Sequence, residues 1–205
     1  MALNFCNNNS LSAITSIPAA ISGSAINLIS TQTASSSSTL SFTSGIDSTY
    51  KEYIFRFYHI HPQTNEVDFT FNLSTDGGSN FNVTKTTTFF FQYHTESGSS
   101  SGISQDNNSD LAQSTNYQVI SWDPTIGLAN DDDHGLSGIL HLFEPSSTVF
   151  AKNFLAQAST THLNDGNFTN YIAGYGNTTS AINAVDFKMS SGNIDAGVIK
   201  LYGVS

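Results

Sequence analysis

The chain has 205 residues, of which 38% are hydrophobic, 12% aromatic and only 11% charged. Six Lys and Arg residues against 16 Asp and Glu residues give a formal net charge of −10, which argues against partners such as nucleic acid or an anionic membrane surface. With 15 Phe and 8 Tyr, the hydrophobic residues favour strands over helices, and the length suits one all-β domain.

The N-terminal stretch, residues 1–35, is rich in Asn and Ser and nearly uncharged. We interpret it as a docking arm that inserts into a neighbouring protein. Its candidate docking residues are Leu3, Phe5, Leu11, Ile14 and Ile17. The alternative is a plain first strand, readable at residues 26–29, behind a frayed lead. We expect no signal peptide, because no positive region precedes an apolar one, and Cys6, as the single cysteine, leaves no intrachain disulfide.

The most regular alternation of apolar and polar residues lies at residues 50–75, in two arms separated by a turn at residues 61–65. The predicted inward rows are Tyr53, Phe55 and Phe57 in the first arm, and Val67, Phe69, Phe71 and Leu73 in the second. A period of two predicts strands with one buried face, and two such strands across a short turn predict a β-hairpin. Because aromatic rows of this size need a cover, we predict that the hairpin packs on a second sheet.

Further short strands are predicted along most of the remaining chain, with turn signals such as Asp76-Gly77-Gly78 between them and no long helix. About eight to ten antiparallel strands in this pattern predict a jelly-roll β-sandwich over residues 36–205. Two polar stretches, residues 96–116 and 123–135, are predicted to be long loops. Loops of such length are commonly functional.

His59 and His61 motivate a metal hypothesis. At this spacing on a strand, both rings point to one face and can bind a transition metal. No Cys or acidic residue is obviously placed to complete the site, unless three chains bring their pairs together on a symmetry axis. The alternative is two polar residues at a strand end, and we expect no cofactor.

The acidic run of Asp131, Asp132, Asp133 and His134 motivates a calcium hypothesis, but it lacks EF-hand spacing, and a solvated loop is the alternative. Together with Trp122, these residues are candidates for recognition. Other candidate exposed aromatic residues are Tyr50, Tyr58, Tyr171 and Tyr175. Such rings suit subunit interfaces and, less strongly, carbohydrate stacking. Hydrolase motifs of the Gly-x-Ser-x-Gly type are missing, and we expect no enzymatic activity.

Several longer motifs carry a resemblance. They are FKMSSGNID at residues 187–195 followed by IKLYG at 199–203, LSFTSGIDSTYKEY at 40–53, STDGGSN at 74–80, and GILHLF at 138–143. In these motifs the chain resembles small structural proteins of tailed-bacteriophage virions, especially marine ones. The resemblance implies a virion protein assembled in the bacterial cytoplasm, and brings no catalytic or binding residue with it.

The leading functional hypothesis is therefore a non-enzymatic protein that decorates or stabilises a phage capsid as a homotrimer, with the major capsid protein or a tail protein as partner. The first alternative is a tail-fibre or receptor-binding module that recognises a host glycan or protein through residues 96–116 and 123–135. The second is a free-standing lectin or hydrolase with the same fold.

Overall fold

The structure is a computed structural model that describes residues 25–121, 127–162 and 166–205. Within these ranges the chain forms twelve strands and no helix. The strands are β1 (Ile26–Thr33), β2 (Leu40–Phe42), β3 (Glu52–Pro62), β4 (Phe69–Ser74), β5 (Lys85–Thr95), β6 (Ser101–Gln105), β7 (Gln118–Val119), β8 (Leu136–Phe143), β9 (Lys152–His162), β10 (Gly166–Gly176), β11 (Ala184–Met189) and β12 (Ile194–Val204). None of the described residues belongs to a helix with the length and hydropathy that a bilayer crossing requires.

The described strands form two antiparallel sheets. The large sheet has eight strands in the order β1-β12-β3-β8-β9-β10-β5-β6, and the small sheet has four in the order β2-β11-β4-β7. Early strands lie beside late ones in a nested series: β1 beside β12, β2 beside β11, β3 beside β8, and β4 beside β7. The hairpins β5–β6 and β9–β10 stand outside this series and lengthen the large sheet only. The all-β prediction is therefore confirmed.

The core lies between the inner faces of the two sheets, and Phe187 of β11 is at its centre. Its ring centroid is 5.2–6.4 Å from the centroids of Phe42, Phe55, Phe57, Phe69 and Phe71. These rings come from both sheets, and each of them is at most 2% exposed. The aromatic rows that the alternation of residues 50–75 predicted to point inward are thus buried as expected.

The predicted hairpin of residues 50–75 is wrong in its pairing. β3 pairs with β8 and β12 in the large sheet, whereas β4 pairs with β7 and β11 in the small one. The rings of Phe57 and Phe69 therefore meet edge to face across the sandwich, 5.3 Å apart. The physical reason is that two apolar rows cover each other when they face each other. Side by side on one sheet, both rows would still lack a cover.

The predicted loop at residues 96–116 is also partly wrong, because it contains β6, which pairs with β5 over residues 101–105. Residues 106–114 then return along the first half of β5. Thr87 N–H donates to the Leu111 carbonyl at 2.9 Å, and Lys85 N–H donates to the Ser114 carbonyl at 2.8 Å. The exposed turn at residues 96–100 connects β5 to β6.

Residues 26–33, which the sequence placed in the docking arm, form β1 at the edge of the large sheet, paired with β12. The five candidate docking residues, Leu3, Phe5, Leu11, Ile14 and Ile17, lie outside the described residues. Of the second predicted loop, residues 127–135 are described and contain no strand. Leu128 and Ala129 in that segment are buried, and the Leu128 backbone bridges to Val67.

Candidate functional site

Exposed apolar side chains lie on the outer face of the large sheet, opposite the core. Phe90 of β5 is 44% exposed and Leu155 of β9 is 50% exposed. Phe90 stacks on Tyr171 of β10, with ring centroids 4.8 Å apart and planes 11° from parallel. Ile139 of β8 lies on the same face, one strand beyond β9. We call Phe90, Ile139, Leu155 and Tyr171 the apolar face.

The apolar face is concave. One cavity of about 320 Å³ is lined by all four of its residues, and a second of about 510 Å³ is lined by Leu155 together with Phe143 and Tyr175. Neither cavity has a described Asp or Glu residue in its lining. Such a surface can bind apolar groups, and it presents no described Ser, Cys or carboxylate for catalysis.

A histidine that is paired with a carboxylate lies at the edge of this surface. His141, which lines the first cavity, approaches the Glu52 carboxylate with its Nδ1 at 2.5 Å from Oε1. The two side chains lie on neighbouring strands, since Glu52 is in β3 and His141 in β8. Nδ1 of His141 is therefore paired within the protein, and the surface next to it is lined mostly by apolar side chains.

The structure brings together the two polar motifs that the sequence singled out. His61 Nε2 lies 3.1 Å from the Asp131 carbonyl oxygen, and His61 Nδ1 lies 4.0 Å from Oδ2 of Asp195. A cavity of about 380 Å³ is lined by His59, His61, Asp132, His134, Asp195 and Ala196. We call this group the histidine–aspartate cluster. Asp195 belongs to it although no sequence pattern indicated that residue.

The metal hypothesis gains no support from the cluster. The strand is irregular at His59, which has a φ of 47°, and the pairing register of β3 with β8 shifts between Phe57 and Ile60. Both histidines nevertheless line the same cavity, so this irregularity does not separate them. Among the described residues, no group of three or more His, Cys, Asp or Glu side chains is arranged to hold a metal ion.

The other candidate residues are spread over the fold. Tyr58 is 38% exposed on β3, with the Lys200 ammonium 5.5 Å from its ring centre. Tyr50 is half-buried and packs edge-on against Tyr53. Tyr171 belongs to the apolar face, and Trp122 lies outside the described residues. Phe90 and Leu155 were not identified from the sequence. Each is nevertheless an apolar residue at a position where the alternation of its strand predicts a polar one.

Comparison with known proteins adds no relative: no family model, no curated protein and no solved structure matches this chain.

Proposed function

We propose that this chain is a non-enzymatic structural protein of a tailed-phage virion. In this proposal it decorates or stabilises the capsid surface and assembles with copies of itself, as a homotrimer, through the apolar face. Residues 1–24 supply the docking arm towards another virion protein, and the particle assembles in the bacterial cytoplasm. The motifs that resemble virion proteins support the setting, and the apolar face is the observation that carries the proposed assembly.

The strand order supports a jelly roll as the finer description of the fold. When the hairpins β5–β6 and β9–β10 are set aside, eight strands remain in the orders β1-β12-β3-β8 and β2-β11-β4-β7. Successive nested pairs then alternate between the two sheets, as happens when one long antiparallel ribbon wraps around a core. Eight-stranded jelly rolls of this kind are common in viral capsid proteins, although the fold alone does not imply that function.

The charge distribution favours a second copy as the occupant of the apolar face. With a net charge of −10, copies of the chain repel each other over most of their surface. The cavities of the apolar face have no described carboxylate in their lining, and Glu52 at their edge is hydrogen-bonded to His141, so two copies meet few like charges there. The stacked rings of Phe90 and Tyr171 are also of the aromatic type that is enriched in interface cores.

Light scattering coupled to size-exclusion chromatography tests the assembly. We expect the wild-type chain to elute as an oligomer, and Leu155→Ser or Phe90→Ser to elute as a monomer with an unchanged circular-dichroism spectrum. Val149→Ser is the matched control, because Val149 is 68% exposed but lines neither cavity of the apolar face. A wild-type monomer, or a Leu155→Ser variant that remains oligomeric, would contradict the use of the apolar face.

Quantitative mass spectrometry of purified particles tests the place on the virion. We expect a copy number comparable to that of the major capsid protein, whereas a few copies per particle would place the chain on the tail. Absence from the particles would overturn the virion proposal. Deletion of residues 1–24 tests the arm, because it leaves β1 intact. We expect the truncated chain to fold but not to bind particles.

The histidine–aspartate cluster favours receptor binding as the second candidate function. It forms a polar concavity at residues 131–134, inside one of the two segments predicted to recognise a receptor. The other segment is less suited, since residues 101–105 pair with β5 and residues 106, 111 and 114 also form backbone hydrogen bonds with it. In a whole-cell binding assay, loss of binding on replacing Asp132, Asp133 and His134 by Ser would favour this function over decoration.

A further inference from the structure

Lys85, the first residue of β5, has a fully buried side chain with no charged partner. Its relative exposure is 0%, and no ion pair joins it to a carboxylate anywhere in the described part of the chain. Instead, its Nζ donates to the side-chain oxygen of Asn72 and, at 2.9 Å, to the Val83 carbonyl. A buried ammonium without an opposite charge is unfavourable, and burial lowers the pKa of Lys85 to about 7. Burial therefore favours the uncharged amine, which is the nucleophilic form.

The side-chain amide of Asn72 in β4 is fixed by hydrogen bonds, as suits an amide that reacts with a nucleophile. Its side chain is 0% exposed, and its Nδ2 donates to the carbonyls of Phe81 at 2.7 Å and Thr115 at 3.0 Å. The Leu73 backbone N–H donates to Asn72 Oδ1 at 2.9 Å. This N–H points at the oxygen on which negative charge develops when the amide carbon is attacked. The amide plane is thus fixed, and water is excluded from it.

We propose that Lys85 and Asn72 form an intramolecular isopeptide bond after the chain has folded. The Lys85 Nζ lone pair attacks Asn72 Cγ, the Cγ–Nδ2 bond breaks, and a proton from Nζ leaves with Nδ2 as ammonia. The product is one secondary amide between the two side chains. No oxidant, reductant or cofactor is needed. The bond covalently joins the start of β5, where the turn after β4 ends, to β4 of the small sheet. Residues 114 and 115 lie next to it.

Lys152 provides an internal comparison. It is also 0% exposed, and burial lowers its pKa as well. However, its Nζ donates to the backbone carbonyls of Phe150 at 2.6 Å and Thr178 at 3.3 Å. Neither acceptor is a side-chain amide with a leaving group, so the same chemistry cannot take place there. Burial of a lysine alone therefore does not lead to the proposed bond.

Intact mass spectrometry of the full chain under denaturing conditions tests the proposal. We expect a mass lower than that of the sequence by one ammonia, and no tryptic cleavage after Lys85. We also expect a branched peptide that joins the segments containing Lys85 and Asn72, which distinguishes the bond from a succinimide elsewhere. Cleavage after Lys152 in the denatured chain should be normal. A purified, folded chain with the full sequence mass and cleavage after Lys85 would overturn the proposal.

Variants then assign the roles. Lys85→Met and Asn72→Ala should each restore the full mass, whereas Lys152→Met should keep the loss of one ammonia. Because all the readouts are covalent masses, they are independent of the proposed virion function.

Discussion

The central position of Phe187 leads to a quantitative prediction about stability. Its ring contacts five other phenylalanine rings that come from both sheets, and the side chain is 0% exposed. Phe187→Ala removes the ring and leaves a cavity that rings held by two sheets cannot fill by collapse. Core Phe→Ala substitutions lower the free energy of unfolding by roughly 3–5 kcal/mol. We expect a loss of about 4 kcal/mol, since the site is fully enclosed.

The measurement is urea denaturation followed by circular dichroism, with thermal unfolding as a second readout. For a domain of this size, a change of 1 kcal/mol shifts Tm by about 2–4 °C, so the expected decrease is roughly 8–16 °C. Phe150→Ala is the matched control, because it removes the same ring from a position that is 65% exposed. We expect that variant to change the free energy of unfolding by less than about 0.5 kcal/mol.

Two outcomes would refute this reasoning. A loss below about 1.5 kcal/mol for Phe187→Ala would mean that the ring is not enclosed as described, because even partial collapse leaves a larger loss for a core phenylalanine. Equal losses for Phe187→Ala and Phe150→Ala would mean that the two-sheet packing does not determine stability.

Three further predictions concern single contacts. Gly203→Ala should lower the free energy of unfolding by about 1–3 kcal/mol, because its Cβ would lie 2.2 Å from Cδ2 of Tyr50; a second substitution, Tyr50→Ala, should recover part of that loss. Tyr53→Phe should cost about 1–2 kcal/mol in urea denaturation, since the hydroxyl donates to the Asp47 carbonyl at 3.0 Å and accepts from the Asp47 N–H at 2.9 Å; an unchanged midpoint would contradict this. Hydrogen bonds from Asn80 and Ser74 lower the pKa of Asp76 to about 2, so its stabilising contribution is complete above the ordinary carboxyl pKa of about 3.9 and is lost as the pH falls towards 2. Asp76→Asn should therefore be less stable at neutral pH and should show a flatter pH dependence between about pH 4 and 2 in acid unfolding.

The strands were predictable where burial alone determines the pattern, and their partners were not. The alternation at Tyr53, Phe55 and Phe57 reports only that one face is buried, whatever covers it. The pairing of β3 with β8 joins residues more than seventy positions apart, for example Ile54 with His141. A short turn favoured a hairpin locally, but the mutual burial of two aromatic rows across the sandwich prevailed.

The same limit applies to the functional residues. His59, His61 and the acidic run at residues 131–134 were identified separately, and their proximity follows from the pairing of Ile60 with Leu136, which starts β8 beside the end of β3. The buried Lys85 gave no signal, because it precedes three threonines in a stretch that reads as an ordinary polar strand end. Its burial depends on residues 106–117, which pack along β5.

The apolar face is not a requirement of the fold, and this is the strongest reason to assign it a function. On β9 the outward positions are Asn153, Leu155, Gln157 and Ser159, and on β5 they include Thr88, Phe90 and Gln92. The remaining outward positions named here carry polar residues, so these strands tolerate polar side chains on this face. Leu155→Ser should therefore leave the unfolding free energy of the monomer within about 0.5 kcal/mol of the wild type, because it removes no core contact. The measurement is made at a concentration low enough to dissociate the oligomer. A larger loss of unfolding free energy there would mean that Leu155 contributes to the stability of the monomer. An unchanged monomer stability combined with lost assembly would separate the role of the apolar face from that of the core around Phe187.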